Sequence, residues 1–288
     1  MNENKKTSNI KIASIYIILS SLAFAVMQLF VKVTAGKYNV FFQTFMRNIV
    51  ILILSGIVLL IKGQSFKIET KKKELLYRCI AGFLSVVLYF YATKTLNLAD
   101  ASALHKSSPF FIVFLTAIIN KRRIDKQSLG IIILAFIGVL LVIKPNFVLA
   151  PIPTIAAISG AFLAAVAYIM ISFIGKDIDS LLIIFYFSLF SSIVCLILGW
   201  NHFVIPQSED IIPLILIGVG GGLGQLFVTL GYQITSADKI SVFTFTTIAF
   251  SAILGYYVYA EKIDTLSFIG IGIVILAAIL KHISNNKE

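Results

Sequence analysis

Residues 181–200 read LLIIFYFSLFSSIVCLILGW, twenty residues without a charged side chain or a proline. An α-helix rises 1.5 Å per residue, so this run extends about 30 Å, the thickness of the hydrocarbon core of a bilayer. Backbone groups in hydrocarbon must be paired within the segment or in a closed barrel, and a long run without polar alternation fits only the helix. The stretch therefore predicts a transmembrane helix.

Nine similar runs lie on either side of this one. The ten predicted spans are residues 12–33, 40–61, 75–96, 101–120, 128–143, 151–175, 181–200, 211–233, 240–259 and 266–282. The chain is 59% hydrophobic and 13% charged, with a mean hydropathy of +0.98, whereas soluble domains contain about 25% charged residues. The longest connection, 62–74, is too short to form a core of its own. We expect an all-α membrane protein with ten transmembrane helices.

The net charge of +11 follows from basic residues that flank the predicted spans. Such residues are retained in the cytoplasm during insertion, so their excess does not indicate a nucleic-acid partner. With the amino terminus placed inside, 17 Lys and Arg residues fall on the cytoplasmic side, Arg78 among them, and 5 fall outside. The bias predicts a multi-pass protein of the cytoplasmic (inner) membrane with both termini in the cytoplasm.

An internal repeat divides the chain into two halves. Residues 98–100, Leu-Ala-Asp, correspond to residues 236–238, Ser-Ala-Asp, and Gly130 corresponds to Gly270, so the offset is 138 to 140 residues. The predicted halves are 1–145 and 146–288. Five spans in each half force the second copy to insert upside down relative to the first, an arrangement associated with secondary transporters.

The chain resembles the EamA-type permeases of the drug/metabolite transporter superfamily over nearly its whole length. The resemblance is carried by the two five-helix halves, the segment from Asp100 to Pro109, the pair Gly224-Gln225 followed by residues 230–232, and residues 259–262 before Gly270. The end of the fourth span departs from the family, because residues 120–123 read Asn-Lys-Arg-Arg where the family often has Gly-Glu. The resemblance implies a ten-helix bundle around a central cavity and leaves the substrate open.

Two basic residues lie at least five residues inside the predicted spans. Arg47 is about seven residues into the second span and Lys106 about five into the fourth, each roughly 8 to 10 Å from the predicted external end. A charge at this depth costs at least ~2.5 kcal/mol unless it faces a cavity or a partner. One interpretation is a positive cavity for a carboxylate or phosphate, with His105 as a third member or a proton relay. The alternative is that both side chains extend to the interface.

Other polar side chains in the spans are candidate substrate ligands. Gln225, Tyr89, Tyr168 and Gln28 could hydrogen-bond or stack on a polar metabolite. Each could equally hydrogen-bond a neighbouring helix or belong to the interfacial belt. The sequence does not decide between these interpretations.

Proline and glycine mark candidate conformational positions. Pro109 cannot donate to the helix ladder and predicts a kink in the fourth span. Gly218, Gly222 and Gly224 belong to a glycine-rich run that lacks the strand and the Lys-Ser/Thr pair of a nucleotide-binding loop. Their small-xxx-small spacing instead favours close approach or sliding of a neighbouring helix.

These features favour a secondary transporter that moves a small polar metabolite by alternating access. An amino acid, a nucleotide derivative or another organic anion fits the two internal cations. The alternatives are an intramembrane enzyme, for which no metalloprotease motif or paired intramembrane carboxylates occur, and a non-transporting scaffold. We expect no enzymatic activity and no cofactor. The expected partners are an anionic or zwitterionic small molecule and the lipid bilayer, with a homodimer left open.

Overall fold

All regular structure in the described part of the chain is helical. The computed structural model describes residues 3–34, 37–93, 96, 98–145, 150–260 and 263–285. The helices are α1 (Glu3–Val33), α2 (Val40–Ile61), α3 (Lys72–Thr93), α4 (Leu98–His105), α5 (Ser108–Ile119), α6 (Lys126–Ile143), α7 (Pro151–Ile174), α8 (Ser180–Gly199), α9 (Ser208–Ile234), α10 (Ala237–Ile240), α11 (Thr246–Tyr259) and α12 (Thr265–Asn285). Short 3-10 helices occupy Trp200–His202 and Ser241–Phe245.

Nine segments of the described residues are long and apolar enough to cross a bilayer. They are Asn9–Val33, Val40–Ile61, Ala101–Ile119, Lys126–Ile143, Pro151–Ile174, Ser180–Gly199, Ser208–Ile234, Ala237–Tyr259 and Thr265–Asn285. The prediction of an all-helical, multi-pass membrane protein is thereby confirmed. The remaining predicted span coincides largely with α3, whose first two turns contain Lys72, Lys73, Glu74 and Arg78.

Side-chain caps place several helix ends where polar sequence begins. Asn39 accepts a hydrogen bond from the backbone N–H of Phe41 before α2, and Asp179 caps α8 through the N–H of Leu181. Asp125 accepts from two backbone N–H groups at the start of α6. A cap of this kind stabilises a helix by about 1 kcal/mol, because it satisfies an N–H group that has no partner within the helix.

The helices pack as antiparallel pairs, α1 with α9, α3 with α7, α2 with α8 and α6 with α12. Small residues permit the closest of these contacts. A Cβ added to Gly138 of α6 would lie 2.8 Å from the carbonyl oxygen of Gly270 on α12, and one added to Gly270 would lie 2.6 Å from the carbonyl oxygen of Gly138. The α6 and α12 backbones therefore touch directly, as small residues allow in membrane bundles.

Ionic and polar contacts join the two halves of the chain at the end of the bundle where α1 stops and α2 begins, here called the α1–α2 end. Asp210, at the start of α9, accepts hydrogen bonds from Lys37 Nζ at 2.8 Å and Tyr38 Oη at 2.9 Å. The hydrogen bond to Asp210 raises the pKa of Lys37. At the same end Lys144 pairs with Asp264, and this hydrogen bond lowers the pKa of Asp264 to about 2. The carboxylate of Asp264 therefore stays charged at neutral and moderately acidic pH.

Two of the predicted spans are broken. The fourth is interrupted at Lys106 and Ser107, and Pro109 lies in the first turn of α5 after the break, where its missing N–H costs no helical bond. The ninth span, predicted as continuous over 240–259, instead contains the 3-10 helix Ser241–Phe245. Its hydroxyls compete for backbone carbonyls: Thr244 donates to Ser241 O at 2.7 Å and Thr246 donates to Phe243 O at 2.6 Å.

Candidate functional site

Arg78 lies inside the bundle. Its side chain is 3% exposed; Nη2 donates to Gln225 Oε1 at 2.9 Å, and its guanidinium carbon is 4.2 Å from the centroid of the Phe187 ring. Gly82, one turn later, leaves room for the guanidinium, since a Cβ there would lie 2.1 Å from Nη1. Counting Arg78 as a cytoplasmic residue was therefore wrong. The cytoplasmic count falls from 17 to 16, and the bias persists.

Arg47 approaches the same region from α2. Its Nε is buried and has no hydrogen-bond partner among the described residues, and its guanidinium carbon is 5.9 Å from the centroid of the Phe24 ring. A Cβ on Gly221 of α9 would lie 2.8 Å from Nε, so the absence of a side chain there makes space for the arginine. The side chain as a whole is half-buried.

Two tyrosines complete this group. The rings of Tyr168 on α7 and Tyr232 on α9 stack with centroids 4.9 Å apart. Tyr168 lies near both arginines, and the two arginines lie near each other. We call Arg47, Arg78, Tyr168, Gln225 and Tyr232 the arginine cluster.

Among the residues that the structure describes, buried polar atoms without hydrogen-bond partners concentrate on the helices around the arginine cluster. On α2, α3, α8 and α9 they are Arg47 Nε, Asn48 Oδ1, Arg78 Nε, Ser188 Oγ, Ser191 Oγ, Ser192 Oγ, Thr229 Oγ1 and Tyr232 Oη. Within the described residues neither arginine forms an ion pair with a carboxylate. Buried polar groups are normally satisfied, and an unpaired buried charge is costly. This arrangement is suited to binding water and an anionic group that enters the bundle.

A second polar group surrounds the break between α4 and α5. The imidazole Nε2 of His105 lies 3.0 Å from Ser85 Oγ, and the His105 and Tyr89 ring centroids are 4.9 Å apart. Tyr89 Oη lies 2.9 Å from Ser102 Oγ. Lys106 follows within the break and is half-buried, and its ammonium group forms no hydrogen bond within the part of the chain that the structure describes. We call Ser85, Tyr89, Ser102, His105 and Lys106 the histidine cluster.

One face of α3 connects the two clusters. Arg78, Gly82, Ser85 and Tyr89 follow one another at intervals of four, three and four residues, so they lie on one side of the helix. The distance along the axis from Arg78 to Tyr89 is about 16 Å. This spacing is the sequence signal that could have identified Arg78 as an interior residue, since its face of the helix is polar or small throughout.

The remaining candidates lie outside these clusters. Gln28 is exposed, and its Oε1 accepts a hydrogen bond from Ser251 on α11 at 2.8 Å.

The glycines of α9 contact two neighbouring helices. Added Cβ atoms would lie 2.4 Å from Val50 for Gly218, 3.2 Å from Ile51 for Gly222 and 2.5 Å from Phe24 for Gly224. Glu261 and Lys262 lie outside the described residues, as do residues 146–149 at the predicted boundary between the halves.

The fold and the site define a polytopic α-helical membrane protein with cationic groups in its interior. The model of the EamA-like transporter family matches residues 11–144 and again residues 152–281. The chain belongs to this family, and the resemblance to the EamA-type permeases of the drug/metabolite transporter superfamily is confirmed. It is therefore a multi-pass membrane transporter protein.

Individual relatives agree with this assignment. The chain is 30% identical to the pseudopaline exporter CntI of Pseudomonas aeruginosa, over 91% of this chain and 93% of that protein. It is 25% identical to an uncharacterized transporter of Helicobacter pylori, over 92% of each chain, and 28% identical to mouse solute carrier family 35 member G1, over 83% and 69% of the two chains. A crystal structure with 15% sequence identity shares the fold with a TM-score of 0.82, covering 93% of this chain and 95% of the other.

Proposed function

We propose that this chain is a secondary transporter that carries a small organic anion or zwitterion across the cytoplasmic membrane, and that the arginine cluster binds the anionic group. The amino acids, nucleotide derivatives and other organic anions expected from the sequence all provide such a group. The observation that carries the proposal is the pair of interior arginines, Arg47 and Arg78, without a carboxylate partner in the described residues.

The electrostatics favour a ligand that arrives from outside the protein. Two guanidinium groups in a low-dielectric bundle repel each other and lose hydration, and a bound anion offsets both costs. Arginine presents planar donors that match carboxylate or phosphate oxygens. Gln225 holds one guanidinium in place and Phe187 covers its face. The relative named as an exporter of pseudopaline supports an organic small-molecule substrate.

We further infer that residues 1–145 and 146–288 form two inverted five-helix repeats, with α3 as the tenth span. The two matches of the family model support this division. The packing supports it as well: Ser20 of α1 donates to Gly224 O of α9 at 2.8 Å, and a Cβ on Gly160 of α7 would lie 3.1 Å from Ser85 O of α3. At an offset of 139 residues, Ser20 corresponds to residue 159, which is next to Gly160, and Gly224 corresponds to Ser85. The contact of α1 with α9 and that of α7 with α3 therefore involve corresponding parts of the two proposed repeats.

Alternating access accounts for several features of the fold. Exchange of the two halves maps the contact of α1 with α9 onto that of α7 with α3, so opening to either side uses equivalent surfaces. The breaks at Lys106 and at residues 241–245 also lie at equivalent positions, and interrupted helices at such positions often mark the binding site of a transporter. The ion pairs at the α1–α2 end are contacts that an opening on that side must break.

Flux into proteoliposomes tests the proposal. Purified protein should give saturable uptake of at least one member of a panel of amino acids, dicarboxylates and nucleotide derivatives, above the rate in empty vesicles. Uptake should proceed without ATP. Unchanged chemical identity of the transported molecule separates a carrier from an enzyme, and the absence of any protein-dependent flux across the panel would favour a scaffold.

The proposed orientation places both termini in the cytoplasm. The positive-inside bias carries it, with 16 basic residues on one side and 5 on the other after Arg78 is removed. We expect a green fluorescent protein fused after residue 288 to fluoresce in a bacterial host, and alkaline phosphatase fused there to be inactive. Active phosphatase at the carboxyl terminus would contradict the orientation, and termini in different compartments would contradict the ten-span topology.

A further inference from the structure

An apolar cavity lies between the beginning of α2, the last part of α3 and one side of α8. Thr44 of α2, Phe83 and Val87 of α3, and Cys195 of α8 contribute to its lining, together with Tyr91 near the end of α3. Most of this lining is carbon, in contrast to the arginine and histidine clusters. Such a cavity suits an uncharged hydrophobic group, because ligand sites combine apolar walls with a few polar anchors.

The cavity adjoins Arg47. Thr44 precedes Arg47 by three residues, so the two side chains lie on neighbouring positions of one helix face. The side chain of Cys195, which is fully buried, lies near the Arg47 guanidinium. A molecule with its anionic group at Arg47 would therefore have an apolar space within one helical turn of that group.

We propose that the transported anion is amphipathic, with its anionic group bound at Arg47 and an aromatic or branched aliphatic part in this cavity. The proposal rests on the transport function proposed above and names the substrate class of the same site. A fully polar anion would leave the cavity to poorly bonded water, whereas an apolar substituent removes that surface from water and gains affinity. The aromatic side chains Phe83 and Tyr91 provide faces for such a substituent.

A lipid acyl chain is the competing occupant of an apolar cavity in a membrane protein. An acyl chain needs no charged partner inside the bundle. Arg47, beside the cavity, offers such a partner to the anionic group of a substrate. Charge complementarity therefore favours the substrate. Filling the cavity distinguishes the two occupants, because it changes substrate preference only if the substrate enters it.

Pairs of anions that differ only in an apolar group test the inference. We would measure the thermal stabilisation of the purified protein by succinate and benzylsuccinate, and by methylphosphonate and benzylphosphonate. In the wild type the benzyl compound of at least one pair should have a half-saturating concentration about tenfold lower, as expected for burial of part of a phenyl ring. Val87→Phe should fill the cavity and remove this advantage while binding of the smaller anion is retained. Val87→Ala should instead favour a naphthylmethyl over a benzyl substituent.

Val58→Phe is the matched control, because Val58 is 38% exposed on the lipid-facing side of α2. It should keep the wild-type preference. Equal half-saturating concentrations within both pairs, or equal behaviour of the Val87→Phe and Val58→Phe variants, would overturn the inference and leave the anion site intact. Arg47→Gln should remove stabilisation by all four anions. If none of the four stabilises the wild type, the proposed anion site fails, and the inference fails with it.

Discussion

Arg78→Gln should lower the initial rate of substrate uptake into proteoliposomes by about a hundredfold. Removing the guanidinium costs the charge-assisted hydrogen bonds to the anion, about 1.5 to 3 kcal/mol each, and 1.4 kcal/mol corresponds to a factor of ten. Since an unpaired buried charge also disappears, the unfolding temperature should stay the same or rise. A purely structural role for Arg78 would instead lower stability and transport together.

The control for this prediction lies on the same helix. Lys73 is exposed at the beginning of α3, so Lys73→Gln removes the same charge at the surface and should leave uptake within about twofold of wild type. Arg47→Gln should reproduce the effect of Arg78→Gln, because both guanidinium groups belong to the arginine cluster. Wild-type uptake and affinity in both arginine variants would remove this cluster from the transport mechanism.

Gly138→Ala should destabilise the protein by about 1 to 3 kcal/mol, the usual cost of overpacking a close contact. The new Cβ would lie 2.8 Å from Gly270 O and 2.9 Å from Val274 Cγ2. The first neighbour is a backbone atom and cannot rotate away, so α6 and α12 must separate. Thermal unfolding in detergent, followed by light scattering or by labelling of the buried thiols, would measure the loss of stability.

Gly130 supplies the matched control on α6. A Cβ at this position would meet no atom within 4 Å, so Gly130→Ala should leave the unfolding temperature unchanged or raise it slightly, because alanine favours the helix. Equal unfolding temperatures for the two alanine variants would show that the contact between α6 and α12 tolerates a side chain. Gly270→Ala should behave as Gly138→Ala does, since it meets the same contact from the opposite helix.

The sequence predicts the helices well because their limits depend on local chemistry. Residues 181–200 were expected as one span, and α8 covers Ser180–Gly199, starting beside the cap of Asp179. The 3-10 segment Ser241–Phe245 was not predicted. Residues 237–259 are apolar enough to be predicted as one span, and within it Thr244 and Thr246 donate hydrogen bonds to nearby backbone carbonyls. Whether a threonine hydroxyl competes with a backbone N–H group for a carbonyl depends on the side-chain rotamer, which a hydropathy profile does not contain.

The candidate site was only partly predictable. Arg47, Gln225 and Tyr168 were expected to bind substrate, and the structure brings them into one cluster, where their role stays a prediction. Arg78 was counted with Lys72 and Lys73 among the basic residues of the cytoplasmic flank. Its interior position is created by Phe187 and Gln225, which arrive from two other helices. Contacts between distant segments of this kind cannot be obtained from the position of a residue along its own span.

The contact between Gly224 and Phe24 affects how this protein should be engineered. Gly224 makes room for the Phe24 ring, and the guanidinium carbon of Arg47 lies 5.9 Å from the centroid of the same ring. Replacing helix glycines by alanine is a common first step when a membrane protein is thermostabilised for crystallography or for drug screening. At residue 224 that step would displace an aromatic ring that is next to Arg47, a residue of the arginine cluster. A library of stabilised variants should therefore leave this position unchanged, or be screened for ligand binding as well as for melting temperature.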